Sequence, residues 1–330
     1  MVVNSKDFQI IKTDDGVDRS VLASGHATTV RRVQTLTGDV VEKHLNNATG
    51  RFSVKQEGRA DWWMQKQKDA QQIADAIRAK NNPAYFIPKT YISHGKVREE
   101  FASGKSWRGM AMGMDRADKE WVYRSLAEFM NDMTELYPVV CDDGHNALPN
   151  LPVKDASALE EMLVRWDDKY VGAENKKLIR EIYDYLANLP ENKTLVFGHN
   201  DLHGDNIIVD VDKRQVSIID FECAGYRPAF AAMYCGTLAG NPEFWAYMNK
   251  LPRKTNPDLR WNYVPEHTEL FQFLRWCSFD VVLEGVKNMA SQIAEKCDKM
   301  RFVLARAKMH HQELLQQQKM PLVPVSHYDR

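Results

Sequence analysis

The first part of the chain alternates hydrophobic and polar residues in short stretches that are separated by turn residues. Residues 21–23, 28–33 and 40–43 have this alternation, and Gly38-Asp39 stands immediately before the third stretch. A period of two is typical of half-buried β-strands, and a Gly-Asp pair indicates a turn between them. The pattern therefore predicts two or three antiparallel strands.

A helical spacing replaces this alternation from residue 53 to about residue 80. Hydrophobic side chains recur there among Gln, Lys and Asp at intervals close to one helical turn. They are Ala60, Trp63, Ala70, Ile73, Ala74 and Ile77. The spacing predicts one long amphipathic helix. The sequence Asn81-Asn82-Pro83 predicts its end.

Two more strands are predicted after this helix, at residues 90–93 and 96–101, with a tight turn at His94-Gly95. Residues 102–106 are small or polar and are predicted to form a linker. Residues 1–102 thus contain strands, one helix and two further strands, which is the content of a small α+β lobe.

The remainder of the chain is mostly helical. Amphipathic spacing predicts helices over 121–135, 156–166 and 175–189, and two more within 271–317. One β-rich segment interrupts them. It contains an apolar strand at 194–197, a polar loop at 198–206, and a hairpin with strands at 207–209 and 216–219.

Composition and charge exclude several classes of protein. The 330 residues carry 44 Lys and Arg against 45 Asp and Glu, so charge gives no reason to expect nucleic acid or an anionic membrane as a partner. No apolar run approaches the roughly 20 residues that span a bilayer. The five cysteines form no C-x-x-C pair, and the N-terminus has no secretory pattern. We therefore expect a cytoplasmic protein without membrane insertion.

The polar loop and the hairpin bring chemistry-bearing residues together. Asn206 begins the first hairpin strand and Asp220 follows the second, so a tight hairpin should place them side by side, with Asp201 a short loop away. Carboxylate and amide oxygens suit Mg²⁺, which takes its other ligands from water and substrate phosphates. Asp201 could then accept a proton from an attacking hydroxyl. These are the parts that phosphoryl transfer needs.

Residues 199–206 read H-x-D-x-x-x-x-N, and Asp220 follows Asn206 by 14 positions. This pattern resembles the catalytic loop and metal-binding Asp of eukaryotic-type kinases, and most closely the aminoglycoside phosphotransferase and choline/ethanolamine kinase branch. The resemblance implies Asp201 as the catalytic base, with His199 bracing the loop. It also implies Asn206 and Asp220 as Mg²⁺ ligands, with Glu222 at a second metal.

The same resemblance implies nucleotide-binding residues in the first lobe. Lys43 would contact the ATP phosphates, with Glu57 as its ion-pair partner. Gly25 lies where kinases of this type have the hairpin that covers the phosphates. The strand at 96–101 resembles the one that leads into the hinge. Adenine is therefore expected at Glu99, Glu100 and Phe101.

The resemblance implies a two-lobed, protein-kinase-like α+β fold. Residues 1–102 would form the nucleotide-binding lobe, with a small antiparallel sheet and one long helix. Residues 103–330 would form a larger, mainly helical lobe for catalysis and substrate. The expected activity is transfer of the ATP γ-phosphate to a hydroxyl of an amino alcohol, amino sugar or sugar. ATP and Mg²⁺ are the expected cofactors, and a homodimer stays open.

Other interpretations also stay open. The chain has alanine in the Ala231 region, where members of this branch carry an Asp that braces the catalytic loop. This departure leaves room for a non-catalytic nucleotide-binding protein. An atypical protein kinase is a second alternative, although no Ala-Pro-Glu follows Asp220. His199 and His203 with the neighbouring aspartates could instead bind zinc, or all these polar residues could serve only as turn residues.

Overall fold

A computed structural model describes most of the chain, namely residues 21–24, 28–35, 38–45, 59–93, 96–137, 140–141, 156–189, 194–228, 244, 247 and 264–319. The chain divides into two compact units. Unit 1 contains Met1–Val139, Val196–Tyr226 and Tyr234–Thr255. Unit 2 contains Val140–Leu195, Arg227–Met233 and Asn256–Arg330. The lobe boundary at residue 102 stays a prediction.

The first sheet of unit 1 has five antiparallel strands in the order β1-β2-β3-β5-β4. They are β1 (Val21–Ser24), β2 (Thr28–Thr35), β3 (Gly38–Leu45), β4 (Thr90–Ser93) and β5 (Lys96–Glu100). Val41 lies opposite Glu99, and Lys43 lies opposite Val97. Because side chains alternate between the two faces of a sheet, Lys43 and Glu99 share one face as diagonal neighbours. Both predicted β pairs are present.

Helix α1, Arg59–Ala79, connects β3 to β4. The described helix lies within the predicted range, and residues 53–58 lie outside the described part of the chain. Its buried residues recur every three or four positions. They are Trp63, Gln67, Ala70, Ala74 and Ile77. Asn81, just after the helix, has a φ of +50°, a left-handed conformation that Asn tolerates better than most residues.

A second sheet of unit 1 has three strands in the order β10-β9-β6. They are β6 (Lys105–Ser106), β9 (Ile207–Asp210) and β10 (Gln215–Ile218). The segment predicted as a linker therefore contains a short strand. Gly104 precedes it with a φ of +115°, and a Cβ there would lie 2.3 Å from the carbonyl oxygen of Val209. A two-residue strand has no recognisable alternation, and its partner lies about 100 residues away in sequence.

Two helices follow β6 in unit 1, namely α2 (Trp107–Met110) and α3 (Arg116–Thr134). Helix α3 begins five residues before the predicted start at residue 121. The carboxylate of Asp115 caps it by accepting the N–H of Asp118 at 2.8 Å. The first turn carries no buried residue, so the hydrophobic spacing alone could not reveal it.

Unit 2 is mainly helical. Its elements are β7 (Val140–Cys141), α4 (Ala156–Arg165), α5 (Asp168–Val171), α6 (Ala173–Ala187), α7 (Pro265–Trp276), a π-helical turn (Cys277–Val281), α8 (Val282–Glu284) and α9 (Val286–Lys319). Strand β8 (Thr194–Gly198) pairs antiparallel with β7 through Leu195 and Thr194. The core packs α4, α6, α7 and α9 around side chains such as Leu163, Ile179 and Leu270.

The hairpin is followed by a 3-10 turn (Phe221–Cys223) in unit 1 and by strand β11 (Gly225–Pro228), whose first two residues belong to unit 1 and last two to unit 2. Antiparallel sheets with a mostly helical remainder confirm the predicted α+β class. None of the helices in the described ranges is long and apolar enough to cross a membrane.

Leu163 and Val164 are adjacent on α4 but differ in burial, with 0% and 76% of their surface exposed. We expect Leu163→Ala to lower the free energy of unfolding by about 2–5 kcal/mol, because it removes buried methyl groups and leaves a cavity. Val164→Ala should change it by less than about 0.5 kcal/mol. Urea titrations of both variants measure the two values. Equal effects would contradict the assigned core.

Candidate active site

The hairpin of β9 and β10 places Asn206 beside the segment that follows β10. Ile207 pairs with Ile218, and the N–H of Ile219 donates to the carbonyl oxygen of Asn206 at 3.1 Å. The Asn206 side chain is buried, and its Nδ2 donates to the carbonyl oxygen of Asp201 at 2.8 Å. The neighbourhood predicted for Asn206 and residues 219–220 is therefore present, and it is joined to the loop of Asp201.

His199 is fully enclosed and fastens the start of the loop. Its Nε2 lies 3.0 Å from the carbonyl oxygen of Ile219. A carbonyl only accepts, so Nε2 carries the proton, and Nδ1 is free to accept the N–H of Asp201 at 3.4 Å. Burial lowers the pKa of His199 below its usual range, which keeps the ring neutral. These contacts are those of a structural brace, the role that the resemblance implies.

Asn200 makes a second attachment that the sequence analysis did not include. It is buried and has a φ of +64°. Its Nδ2 donates to the carbonyl oxygens of Cys223 and Gly225 at 3.0 and 2.9 Å. The side chain therefore ties the loop to the segment directly after Glu222. Within the described chain, this contact provides a loop brace despite the alanine in the Ala231 region.

Lys43 is the cationic residue of the site. Its Nζ lies 3.0 Å from Glu99 Oε1, 3.7 Å from Asp220 Oδ1 and 3.9 Å from Glu222 Oε1. Burial opposes the charge, but these three carboxylates outweigh it and raise the pKa of Lys43 above its usual value. The ammonium group is therefore charged at any working pH.

Asp220 and Glu222 form an acidic pair with opposite pKa shifts. Burial disfavours ionisation of Asp220, but the charge of Lys43 prevails and lowers the Asp220 pKa. Burial, followed by the neighbouring Asp220, raises the pKa of Glu222. Asp220 also has a φ of +66°, a strained conformation for a residue other than glycine that is common at functional sites.

The donor set around Asp220 fits a hard divalent cation. Asp220 Oδ1 is buried and has no hydrogen-bond partner in the described structure, a cost that a bound cation would remove. Across the described ranges, no three His, Cys, Asp or Glu side chains form a metal site by themselves. A site here would therefore combine two carboxylates with the Asn206 amide and water, which is the chemistry of Mg²⁺.

The other residues predicted to bind nucleotide are Glu99, Glu100, Phe101, Gly25 and Glu57, and those that the structure describes have different contacts. Glu99 contacts Lys43, while the Glu100 carboxylate accepts the N–H of Lys89 at 3.1 Å. The Arg32 guanidinium lies 4.3 Å from the centre of the Phe101 ring. Gly25 and Glu57 lie outside the described residues. Adenine binding at residues 99–101 stays a prediction.

Helix α1 contributes a polar residue that the sequence analysis did not select. Gln67 is 1% exposed, and it lies beside Glu222. It is the polar member of an otherwise hydrophobic buried stripe along α1. The sequence contained a signal for this residue, namely a polar side chain at a core position of an amphipathic helix. Burial of a polar group is unfavourable without a partner, so such a position indicates a polar neighbour.

Replacement of Asn200 by glycine tests the attachment that it makes. Glycine accepts the left-handed φ but cannot donate to Cys223 and Gly225, so we expect faster amide hydrogen exchange across residues 220–225 and a free energy of unfolding lower by about 1 kcal/mol. Asn81→Gly is the matched control, because Asn81 has the same backbone conformation at an exposed position. It should keep wild-type exchange at 220–225. Unchanged exchange in Asn200→Gly would contradict this role.

Solved structures with the same fold include several phosphotransferases. The chain is 12% identical to a thermostable mutant of the aminoglycoside phosphotransferase APH(4)-Ia in complex with ADP and hygromycin B, with a TM-score of 0.54 and coverage of 86% of this chain and 92% of that one. It is 16% identical to APH(2")-IIa in complex with gentamicin, with a TM-score of 0.51 and coverage of 86% and 90%.

A third structure is the apoenzyme of macrolide 2'-phosphotransferase MphH from Brachybacterium faecium. It is 14% identical, with a TM-score of 0.51 and coverage of 87% of this chain and 93% of that one. At these identities the likeness establishes the fold. No match was found among curated protein sequences.

A comparison with a family model identifies the family of this chain. Residues 37–231 match the model of the phosphotransferase enzyme family (APH). The match covers more than half of the 330 residues and includes Lys43, the loop at 199–206 and the acidic pair Asp220 and Glu222. The chain therefore belongs to the phosphotransferase enzyme family.

Proposed function

We propose that this protein transfers the γ-phosphate of ATP to a hydroxyl group of a small molecule. One observation carries the proposal: the buried ammonium of Lys43 lies within 4 Å of both Asp220 and Glu222, in the same unit as the loop of Asp201. A fixed cation, an acidic pair and a nearby carboxylate are the groups that phosphoryl transfer requires. Membership of the phosphotransferase family supports the same conclusion.

Lys43 and the acidic residues would act on the nucleotide. Lys43 is buried and held in place by three carboxylates, so its charge would face the phosphates without reorganisation. Asn206, Asp220 and Glu222 would hold Mg²⁺, which when bound would neutralise and orient the phosphates. Asp220 Oδ1, buried and without a hydrogen bond in the described chain, supports this assignment.

Asp201 would be the general base. Its side chain is 21% exposed, so an acceptor hydroxyl could reach it. The rest of the loop is fixed: Asn206 holds the Asp201 carbonyl, and the His203 N–H donates to the same carbonyl at 2.9 Å. A carboxylate on a fixed loop can accept a proton from a hydroxyl while that oxygen attacks phosphorus.

The acceptor would be a hydroxylated small molecule, namely an amino alcohol, an amino sugar or another sugar. Structures of the same fold were solved with gentamicin and with hygromycin B. These complexes make aminoglycosides reasonable members of an acceptor panel. A cationic substrate would also suit an enzyme whose site carries more carboxylates than ammonium groups.

The decisive experiment is an acceptor panel assayed for ADP release from Mg·ATP. It should contain choline, ethanolamine, aminoglycosides, macrolides and simple sugars. We expect Asp201→Asn to lower turnover on the active acceptor by at least about 100-fold, because the base is lost, with little change in nucleotide affinity. Asp212→Asn, at an exposed position of the β9–β10 turn, is the control and should retain the wild-type rate.

Three outcomes would contradict the proposal or the role that it gives to Asp201. Wild-type turnover in Asp201→Asn would remove Asp201 as the base. Nucleotide binding without turnover of any acceptor would instead favour a non-catalytic protein. Phosphate incorporation into protein substrates, rather than into the panel, would favour the atypical protein kinase alternative.

Removal of the metal should abolish nucleotide binding and turnover together. We expect EDTA to eliminate the thermal shift that ATP produces, and Mg²⁺ to restore it. Asp220→Ala should lose both the Mg²⁺-dependent shift and activity, because it deletes the carboxylate whose buried Oδ1 has no hydrogen-bond partner in the described structure. Asp69→Asn on the exposed side of α1 is a control for loss of one carboxylate. An unchanged Mg²⁺ dependence in Asp220→Ala would contradict the assigned ligand.

A further inference from the structure

The closest partner of Lys43 among the described residues is supplied by the sheet. Glu99, on β5, lies 3.0 Å from Lys43 Nζ, whereas Asp220 and Glu222 lie at 3.7 and 3.9 Å. The Lys43 and Glu99 side chains are only 8% and 13% exposed. An ion pair at this distance with so little exposure to water is strongly coupled, because water screens the two charges only weakly.

The strand register fixes the geometry of this pair. Glu99 lies opposite Val41, and Lys43 lies opposite Val97, so the two charged residues are diagonal neighbours on one face of the sheet. On the other face, Glu42 lies opposite Arg98, and Arg98 Nε donates to Glu42 Oε2 at 2.8 Å. This second pair fastens the same two strands. The register of β3 and β5 thus places Lys43 and Glu99 close to each other on the same face of the sheet.

Helix α1 presents an amide rather than a carboxylate to the acidic pair. Gln67 is the buried polar residue of its hydrophobic stripe, and it lies beside Glu222. A second carboxylate at this position would add to the repulsion between Asp220 and Glu222. An amide adds none. The described residues of α1 therefore supply no carboxylate to Lys43, and the nearest carboxylate belongs to Glu99 on the sheet.

We propose that Glu99 is a positioning residue that holds Lys43 away from Asp220 and Glu222 and so keeps these two carboxylates available to a divalent cation. The inference rests on the proposed function. It gives Glu99 a second role, since adenine contact was the only role predicted for this residue. Lys43 is attracted by all three carboxylates, and Glu99 is the nearest of them. Without the charge of Glu99, the ammonium would move closer to Asp220 and Glu222 and compete with Mg²⁺ for them.

The test is the Mg²⁺ dependence of nucleotide binding in Glu99→Gln, measured by titration calorimetry with ADP at a series of Mg²⁺ concentrations. We expect the Mg²⁺ concentration for half-maximal binding to rise by at least about tenfold, the factor that corresponds to about 1.4 kcal/mol. Glu161→Gln, the same chemical change at an exposed position of α4, should leave it unchanged. A purely structural role of Glu99 would lower the melting temperature without moving the Mg²⁺ dependence, and that result would overturn the proposal.

A second pair of variants shows whether Glu99 acts through Lys43. Lys43→Met removes the competing ammonium, and Lys43→Met with Glu99→Gln removes both buried charges, a change that buried pairs often tolerate. We expect these two proteins to have the same Mg²⁺ dependence of ADP binding. A further shift of about tenfold on adding Glu99→Gln would mean that Glu99 acts without Lys43 and would overturn the proposal. This comparison does not require Glu99→Gln to fold by itself.

Failure of this inference can be distinguished from failure of the proposed function. If wild-type protein binds no Mg·ADP, the proposed function fails, and the role of Glu99 fails with it. If wild-type protein binds Mg·ADP and Glu99→Gln has the same Mg²⁺ dependence, only the role of Glu99 is wrong. Acceptor turnover is not needed for either conclusion.

Discussion

The site depends on one buried ammonium group shared among three carboxylates. Lys43 sits within 4 Å of Glu99, Asp220 and Glu222, and removal of these charges from water is unfavourable unless they compensate one another. Three carboxylates against one ammonium leave an excess of negative charge. A divalent cation would balance that excess.

Hydrogen bonds to the hairpin and to the segment that follows it hold the loop at residues 199–206 in place. His199 donates to the Ile219 carbonyl, Asn200 donates to the Cys223 and Gly225 carbonyls, and Asn206 donates to the Asp201 carbonyl. Because these contacts surround residues 220–222, the positions of Asp201 and of the acidic pair are coupled. A change in either segment should thus be transmitted to the other.

Much of this arrangement could be predicted from the sequence. The alternation at residues 28–43 and the spacing along α1 gave their elements within a few residues, because local hydrophobic periodicity determines which face is buried. The proximity of Asn206 to residues 219–220 followed from hairpin geometry alone. The start of α3 and the short strand β6 were not predictable in this way. The start of α3 depends on an exposed turn that is capped by Asp115, and β6 depends on pairing with the distant strand β9.

The contacts that the sequence did not reveal share a physical cause. Glu99 and Gln67 contact the site only after β5 and α1 pack next to it, and neither belongs to a local motif. Asn200 does belong to the loop motif, but its two acceptors lie more than 20 residues later. A motif specifies which groups take part in the chemistry. The residues that hold those reactive groups in place come from whichever element packs next to the site. These supporting residues can therefore differ between proteins with the same loop.

The chain has alanine in the Ala231 region, where the resemblance implies an Asp that braces the loop at residues 199–206. The loop residue Asn200 donates to backbone carbonyls at Cys223 and Gly225. Backbone carbonyls are present whatever the side chains are, so this attachment does not depend on the residues in the Ala231 region. The absence of the aspartate is therefore weak evidence against catalysis in this protein.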